Sequence, residues 1–456
     1  MAENRKEIIK DLTVGSVPKQ LLTFAAPLIA SGFLQTFYNM VDMLVVGHWV
    51  GTNGLAAVAI GGDVLHFLMF IALGMASAGQ IIISQFIGAK LYEKVSHMIG
   101  TLFTFILSAA VVMTLVCFLL RYQILNFLNT PAEAFDYAYS YAVTCIFGLI
   151  FIYGYNLVSA ILRGMGDSRH PFVFIAIASV LNIILDLLFV AVFHMGPFGA
   201  ALATVIGQSV SFLCALGVLY RRRQELGFDF KWKSFGLKMD VFPSLIKLGI
   251  PLSIQSAAIS LSMLFISRWI NAYGAVHTTL YGVSRKIESV LNTVSQALST
   301  SGGSMNGQCI GAEKYDRVPK VMWTIALFGS VIAIVMSIVT ISAPEVLFGL
   351  FSDDAEVLGL CGIFVIPIVL NYLGAVLRPV MFSLINGSGN ARLNLAVALL
   401  DGIIVRIGLA YWLGKTHGVI GYWYGAALAG LMPFVIGIIY YWSGKWRTNK
   451  YLIKNR

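Results

Sequence analysis

Apolar residues run along this chain in long blocks that are separated by short polar connections. About 20 mainly apolar residues, rising 1.5 Å each, are enough for an α-helix to cross a bilayer. The pattern predicts twelve such helices, at residues 20–48, 54–84, 97–121, 135–162, 170–193, 198–220, 245–272, 277–306, 320–343, 356–386, 393–414 and 419–443. The sequence therefore predicts an all-α membrane protein with little of its mass outside the bilayer.

The second half of the chain repeats the first. One constant offset in numbering pairs Gln85-x-Ile87-Gly88-Ala89 with Gln308-x-Ile310-Gly311-Ala312, and Gly164-x-Gly166-x-x-Arg169 with Gly387-x-Gly389-x-x-Arg392. Each repeat holds six predicted helices, an even number, so both repeats enter the membrane in the same orientation. Parallel repeats place a substrate path at their interface, and rocking one repeat against the other gives alternating access.

The repeat and the polar connections divide the chain into five predicted parts. These are a cytoplasmic N-terminal segment (1–19), an N-terminal lobe (20–220), a cytoplasmic linker (221–244), a C-terminal lobe (245–443) and a cytoplasmic tail (444–456). The linker is basic with interleaved aromatic residues, which is typical of a segment lying along the inner headgroup surface.

Composition and charge placement agree with a membrane protein. Of the 456 residues, 58% are hydrophobic and 11% are charged, against about a quarter charged in a soluble domain. The net charge of +10 comes from Lys and Arg in short loops beside apolar segments, the positive-inside distribution, which argues against nucleic-acid binding and places both termini in the cytoplasm. No cleavable leader pattern precedes the first helix, and the five cysteines lack metal-type spacing, so we expect buried thiols.

Of the carboxylates inside predicted helices, Asp42 and Asp186 matter most. Such groups are expensive in a bilayer, at roughly 2.5–3.5 kcal/mol on insertion scales, so each needs a reason. Tyr38 lies one turn before Asp42 and Asn182 one turn before Asp186. Together with Thr204, the two carboxylates lie about 6–8 residues, or roughly 9–12 Å, from the predicted outer helix ends. This set of oxygen donors suits a small hard cation, and the paired carboxylates equally suit a proton.

A purely structural role for Asp42 and Asp186, as hydrogen bonds between helices, is the alternative. The second repeat weighs against it. The constant offset places Phe265 at the position of Asp42, and a slightly larger one, which pairs Gly199–Ala203 with Gly425–Ala429, places Gly430 at that of Thr204. Structural hydrogen bonds would be expected in both halves, whereas a coupling site is needed only once.

Further polar residues inside the helices are candidates for the substrate path. Those in the second half are mostly basic or close to an opposite charge, which fits path lining and buried ion pairs equally well. The candidates are Gln35, Asn39, Arg285, Glu288, Asp401 and Arg406. The glycine-rich motifs at 164–169 and 387–392 lack the preceding strand and the Lys-Ser/Thr of a nucleotide loop, so we predict tight turns and no ATP site.

The motifs resemble those of the multidrug and toxic compound extrusion (MATE) family, in particular the prokaryotic branch that includes the DNA-damage-inducible protein F type. The resemblance covers nearly the whole chain. It lies in Pro27, Asn39-Met-Val-Asp42, Gly47, Gln85-x-x-Gly88-Ala89, Arg163-Gly-Met-Gly166-Asp-Ser-Arg169-x-Pro171, Asn182-x-x-x-Asp186, Pro251, Arg285, Gln308-x-x-Gly311-Ala312 and Gly387-x-Gly389.

This resemblance implies twelve helices in two six-helix lobes arranged in a V, in the cytoplasmic membrane of a prokaryotic cell. It also implies export of small amphipathic, often cationic compounds by antiport with Na⁺ or H⁺. By position, Tyr38, Asp42, Asn182, Asp186 and Thr204 match the family's N-lobe cation site. Other branches carry acidic coupling residues in the C-lobe, for which Glu288 and Asp401 are only loose matches. No cofactor, and no metal other than Na⁺, is expected, and we expect a monomer.

The leading functional hypothesis is therefore a cation-coupled exporter. A flippase for lipid-linked sugars or other lipid precursors, from the same superfamily, is the first alternative, because the basic residues of the second half leave it open. A membrane-embedded enzyme is the second alternative, but no His-Glu-x-x-His motif, nucleophile elbow or catalytic carboxylate pair in a soluble cleft is visible. We therefore predict that the chain is not an enzyme.

Overall fold

The computed structural model describes residues 9–128 and 130–448, and these residues form twelve long helices with no strand among them. The helices are α1 (Val17–Val50), α2 (Thr52–Gly88), α3 (Tyr92–Leu119), α4 (Ala132–Gly164), α5 (Arg169–Val192), α6 (Gly196–Arg221), α7 (Phe242–Asn271), α8 (Ala275–Gly311), α9 (Arg317–Ser342), α10 (Ala355–Gly387), α11 (Ala391–His417) and α12 (Val419–Trp442). The predicted all-α, twelve-helix architecture is confirmed. The outer parts of the predicted terminal segments, residues 1–8 and 449–456, lie outside the described residues.

Eleven of these helices are long and apolar enough to cross a membrane. The remaining one, α8, is long enough at 37 residues but carries Arg285, Lys286 and Glu288 together with many serines and threonines. Its exposed positions include Arg285, Asn292 and Gln296, which recur at roughly helical spacing. A span with such a polar stripe is stable only where the stripe faces protein or water instead of lipid.

The helices group into two compact units. The first unit comprises Met1–Lys10, Pro27–Ile83 and Leu91–Gly249, and the second comprises Asp11–Ala26, Ser84–Lys90 and Ile250–Arg456. Most of α1 to α6 and the linker thus belong to the first unit, and α7 to α12 to the second. The domain limits predicted from the sequence stay a prediction.

The internal repeat extends to backbone irregularities that no hydrophobic pattern specifies. Residues with positive φ recur at the same offset in numbering that relates the sequence motifs. The three pairs are Gly51 (84°) with Gly274 (100°), Lys90 (59°) with Glu313 (60°), and Gly166 (85°) with Gly389 (68°). Because left-handed residues are rare outside turns, three matches at one spacing indicate that both repeats have the same fold.

The two glycine-rich motifs are tight turns, as predicted. Each passes through a left-handed glycine, Gly166 or Gly389, and the next residue accepts a hydrogen bond from the start of the following helix. Asp167 Oδ1 accepts from the Arg169 backbone N–H at 3.0 Å, and its repeat equivalent Asn390 accepts through Oδ1 from the Leu393 N–H at 3.1 Å. Asp and Asn are preferred at helix starts because they satisfy the free N–H groups of the first turn.

Small residues allow the helices of the first unit to pack closely. A side chain at Gly148 would overlap Val205, and one at Gly154 would overlap Phe212, so α4 and α6 meet at two glycines. Close backbone approach at glycines is a common way for membrane helices to associate. A cluster of buried residues including Val45, Tyr141 and Val190 joins α1, α2, α4, α5 and α6, and it surrounds the polar residues described below.

In the second unit, aromatic residues fill the core. Trp423 of α12 packs edge-on against Tyr281 of α8, with ring centroids 4.7 Å apart, and lies 4.5 Å from the ring of Phe364 of α10. At Gly402 of α11 an added side chain would lie 2.8 Å from the Cβ of Ala258 in α7. These contacts place α7, α8, α10, α11 and α12 around one core.

The segment between α6 and α7 is held on α3 within the first unit. The hydroxyl of Thr104 accepts a hydrogen bond from the Gly236 N–H at 2.8 Å, and that of Thr101 accepts one from the Lys238 N–H at 3.1 Å. Phe228 is buried among aromatic neighbours in the same segment.

Four of the five cysteines are buried and all are free thiols, as expected from their spacing.

Candidate functional site

The predicted cation-site residues of α1 lie on one buried face of that helix. Asp42 is 6% exposed and Tyr38, one turn earlier, is also buried, although their neighbours Asn39 and Met43 are exposed. The Tyr38 phenol interacts with the side-chain amides of Gln35 and Gln208. The 3.6-residue period of the helix thus turns the phenol and the carboxylate together into the interior of the first unit.

Helix α5 contributes Asn182 and Asp186, which are 3% and 0% exposed. The Asn182 amide lies 3.3 Å from both Asp186 Oδ2 and the Thr204 backbone nitrogen, and both bonds form when its nitrogen faces Asp186 and its oxygen faces Thr204. Asp186 ends the α-helical part of α5, because Leu187–Val192 is π-helical. Single π-turns inside helices occur frequently at functional sites.

Helix α6 closes the group with Thr204 and, one turn later, Gln208. A small cavity of about 10 Å³ is lined by Tyr38, Asn182, Thr204 and Gln208. This volume is near the lower limit for one water molecule. Helices α1, α5 and α6 therefore meet at a cavity with room for about one water molecule or small ion.

Three oxygen atoms of this residue group lack a hydrogen-bond partner among the described residues. Asp42 Oδ1, Asp186 Oδ1 and Gln208 Oε1 are buried and accept no hydrogen bond within the described part of the chain. Asp186 interacts electrostatically with Asp42, and Tyr141 of α4 interacts with both carboxylates. The five predicted residues are thus brought together within one unit. Two buried carboxylates that interact with each other need a cation or a shared proton, since like charges in a low-dielectric site repel each other.

The donor set fits a hard cation. Carboxylate, amide and hydroxyl oxygens are the ligands that small hard ions prefer, and the three unpartnered oxygens leave coordination capacity free. No group of three His, Cys, Asp or Glu side chains that could hold a metal ion occurs among the described residues. The oxygen donors of this group suit an alkali ion or a proton.

Three polar neighbours of this group are not predicted from the sequence: Gln208, Tyr141 and Tyr155. Gln208 lies four residues after Thr204 on the same face of α6, a spacing that was visible in the sequence. Tyr141 and Tyr155 of α4 are buried, and they interact electrostatically with Asp42 and Tyr38, respectively. Tyrosines are common in this chain, so nothing in the pattern distinguished these two.

Three of the predicted path residues are exposed and three are buried. Gln35 and Asn39 are exposed on α1. In the second unit, Arg406 Nη2 donates to Asp401 Oδ1 at 2.7 Å, both side chains being 2% exposed, so these two form a buried ion pair. Glu288 is also buried and accepts from Asn371 Nδ2 at 2.6 Å. Arg285 is exposed and donates to the Tyr281 hydroxyl at 3.4 Å.

Twelve long helices in two repeats, with buried carboxylate oxygens that have no partner among the described residues, define a multi-pass membrane protein of the transporter class. Comparison with known proteins gives the family. The MatE family profile matches residues 27–188 and 251–412, one segment in each of the two internal repeats. The chain belongs to this MATE family of multidrug efflux transporters.

Its relatives carry related names. The chain is 31% identical over 331 residues, 70% of this chain and 71% of the relative, to the probable multidrug resistance protein YoeA of Bacillus subtilis. It is 22% identical over 97% of its length, and 96% of the relative, to the probable multidrug resistance protein NorM of Thermotoga maritima. These relatives are transporters, which supports a role other than catalysis.

The fold agrees with solved structures. A multidrug resistance MATE family transporter of the MOP superfamily, in its outward-facing conformation, superimposes with a TM-score of 0.88 at 20% identity, covering 99% of this chain and 100% of the other. A MATE structure described as the bent conformation gives a TM-score of 0.85, also at 20% identity, over 99% of both chains. At this identity the likeness concerns the fold alone.

Proposed function

We propose that this chain is a secondary active exporter of small amphipathic or cationic compounds, driven by inward flow of Na⁺ or H⁺ in exchange for its substrate. It acts in the cell membrane of a prokaryote as a monomer, with both termini in the cytoplasm and without a cofactor. The pathway opens alternately to the two sides of the membrane.

One observation carries this proposal: Asp42 and Asp186 each have a buried oxygen without a partner among the described residues, and Asp186 lies 3.3 Å from the amide of Asn182, which lines a small polar cavity. Hydrogen bonds that only hold helices together would satisfy both oxygens of each carboxylate, because an unpaired buried acceptor costs about 1–3 kcal/mol. A site that must bind and release an ion keeps acceptor capacity free. The relatives named for multidrug resistance support the same proposal.

Helix α1 links the ion to the substrate in this mechanism. It contains Pro27, and proline interrupts the backbone hydrogen bonds of a helix, leaving a point at which it bends. The same helix carries Asp42 on its buried face and Gln35 and Asn39 on its exposed face. Binding of a cation or proton at Asp42 changes the charge and shape of α1, and thereby displaces a substrate held along its exposed face.

The membrane potential provides enough energy for this exchange. Moving one charge through 100 mV is worth about 2.3 kcal/mol. One inward cation therefore offsets the electrical cost of expelling one monovalent cationic compound. Export against a concentration gradient then draws on the chemical gradient of the coupling ion.

The test uses the purified full chain in vesicles preloaded with a cationic dye, with imposed Na⁺ or pH gradients of either sign. Wild-type protein should move the dye only with one of the two gradients, which identifies the ion. Asp42→Asn and Asp186→Asn should lower ion-driven efflux at least tenfold, because neutral amides cannot balance a bound cation. Asp136→Asn, which removes an exposed charge in the first part of α4, is the matched control and should retain efflux.

Retention of ion-driven efflux by both site variants would overturn the assignment of the coupling site. Movement of a labelled lipid without any ion gradient, equal in wild-type and Asp42→Asn protein, would instead support the flippase alternative.

A further inference from the structure

The Arg378 side chain occupies an unusual place in the second unit. It lies inside α10, more than two turns before the last residue of that helix. Its guanidinium lies against glycine on two helices: a Cβ at Gly430 of α12 would be 2.6 Å from Nη2, and one at Gly374 of α10 would be 3.7 Å from the same atom. The absence of side chains at these two glycines leaves the space that the guanidinium enters.

This guanidinium has no hydrogen-bond acceptor among the residues that the structure describes. Its Nε is buried without a hydrogen bond, and in residues 9–128 and 130–448 no hydrogen bond or ion pair is found for the rest of the group. Arginine in the membrane-spanning part of a helix is expensive and is normally paired. Arg378 is only partly buried, so its guanidinium remains accessible to a ligand from outside the protein.

Each of the carboxylates nearby already has another partner. Asp401 is paired with Arg406 at 2.7 Å, and Glu288 accepts from Asn371 through Oε2 at 2.6 Å, while its buried Oε1 has no partner in the described part of the chain. Arg378 interacts electrostatically with both carboxylates at longer range, and Arg406 opposes it. Since Arg285 also interacts with Glu288, three guanidinium groups share two carboxylates. The Nε of Arg406 is a second buried donor without a partner in the described part of the chain.

The internal repeat allows this cluster to be compared with the candidate cation site of the first unit. Gly430 stands at the repeat position of Thr204, which lines the cavity of the candidate cation site in the first unit. The first unit carries two carboxylates in the group that includes Thr204, whereas the second places a guanidinium with a free Nε donor against Gly430. An unpaired guanidinium favours an anionic ligand.

We propose that Arg378 is an anion-binding residue that holds the carboxylate of the transported compound, with Gly374 and Gly430 shaping the space around it. The proposal rests on the exporter function proposed above and narrows its substrates to amphipathic compounds that carry a carboxylate. Guanidinium presents two parallel N–H groups to a carboxylate. The free carboxylate alone is sufficient for binding, so a small aromatic acid reports on the site.

The first experiment measures binding without transport. Thermal unfolding of the purified full chain in detergent is followed with sodium benzoate, with neutral benzamide and with sodium chloride. A ligand that binds only the folded state raises the unfolding temperature. Benzoate should raise it for wild-type protein and for Lys415→Gln, a control that removes an exposed charge of α11, and should not do so for Arg378→Gln. Neither benzamide nor sodium chloride should have the effect.

Two further variants protect this experiment against misfolding of Arg378→Gln. Arg378→Lys retains the charge but loses the planar fork, so it should bind benzoate at least fivefold more weakly than wild type. Gly430→Ala displaces the guanidinium, the mobile end of a flexible side chain, and should also weaken binding at least fivefold. No benzoate shift in wild-type protein, an equal shift in these variants, or an equal shift with benzamide or sodium chloride would overturn the proposal.

The second experiment tests whether the carboxylate that Arg378 binds belongs to the transported compound. Rhodamine 110 has a free carboxylate, and rhodamine 123 is its methyl ester. Arg378→Gln should lower efflux of rhodamine 110 at least tenfold and change that of rhodamine 123 less than twofold, and an equal loss for both dyes would contradict a role in substrate binding. The outcome is separable from the coupling site: if Asp42→Asn leaves ion-driven efflux intact, the proposed coupling fails while benzoate binding at Arg378 stands.

Discussion

Arg406 donates to Asp401 across five residues of α11, with 2.7 Å between Nη2 and Oδ1. In a regular α-helix, positions five apart are turned by about 140° and do not face each other. Residues Leu400–Val405 are π-helical, however, and the wider π-turn brings the fifth residue back onto the same face. The π-turn therefore makes this ion pair possible.

This ion pair should show the asymmetry of a buried charge pair. Arg406→Met leaves the Asp401 carboxylate buried without its partner and should destabilise the second unit by about 3–5 kcal/mol. The double variant Asp401→Leu/Arg406→Met removes both charges and should recover most of that loss. Unfolding in mild detergent with increasing denaturant measures both. A double variant as unstable as the single one would mean that the pair's attraction, and not its burial, dominates.

Gln208 should contribute to ion affinity although the sequence reasoning overlooked it. Its side chain lines the small cavity, interacts with the Tyr38 phenol and has a buried, unpartnered Oε1 within the described part of the chain. Gln208→Leu keeps the side-chain size and removes this oxygen, so the concentration of coupling ion giving half-maximal efflux should rise about tenfold, equivalent to about 1.4 kcal/mol. Ion titration of dye efflux measures it.

The neighbouring Ser209→Ala provides the control. Its hydroxyl donates to the Val205 backbone oxygen at 2.7 Å within α6, so its loss should leave the ion titration unchanged. If Ser209→Ala and Gln208→Leu shift the titration equally, the effect comes from α6 stability and not from a ligand at Gln208.

Most of the helical architecture could be predicted from the sequence, for physical reasons. A helix that crosses the bilayer needs an apolar block of minimum length, so its limits can be predicted from the sequence. The predicted span 170–193, for example, begins and ends one residue after the observed helix Arg169–Val192. Even α8, whose polar stripe weakens its hydropathy, is predicted, and the internal repeat requires a helix there. The positive-φ turn at Lys90 and Glu313 is not predicted, because neither residue type favours that conformation.

The candidate site was only partly predictable. Asp42 and Asp186 stand out because a carboxylate within a bilayer is expensive, and Tyr38 and Asn182 follow from helical spacing. Uncharged polar residues such as Gln208 carry no such signal. The pairing of Asp401 with Arg406 was undecided because a π-turn changes which residues share a face, and hydrophobic pattern does not reveal it.

Close backbone contact at the C-terminal end of α8 should make Gly311 intolerant of substitution. An added Cβ would lie 2.2 Å from the backbone oxygen of Gln85 within the second unit, so the backbone itself would have to move. Gly311→Ala should therefore destabilise the protein by about 1–3 kcal/mol. Thermal unfolding in detergent measures the change.

Gly282→Ala on the same helix is the matched control. Nothing lies within 4 Å of a Cβ built there, so alanine should stabilise the helix by up to about 1 kcal/mol through its higher propensity. Equal effects of the two substitutions would show that helix propensity, and not the contact with Gln85, determines the outcome at Gly311.

Asp167, in the turn between α4 and α5, should give a pH-dependent contribution to stability. Burial acts to raise its pKa, but the hydrogen bond with the His170 ring, the charges of His170 and Lys10 and the bond from the His170 backbone N–H together lower the pKa below its ordinary value of 3.8. Because the folded-state pKa is lowered, the contribution of Asp167 is fully present above about pH 4 and is lost as the pH falls through the folded-state pKa.

The loss of this charged contact at the start of α5 should cost about 1 kcal/mol. Unfolding temperatures of wild-type and Asp167→Asn protein, measured from about pH 6 to about pH 3, should therefore differ at the upper limit and converge toward the lower one. The Asn390 cap of the second repeat carries no charge, so Asn390→Ala should lower stability by a similar amount at every pH. A difference between wild type and Asp167→Asn that stays constant across the whole range would mean that Asp167 acts through its shape as a cap and not through its charge.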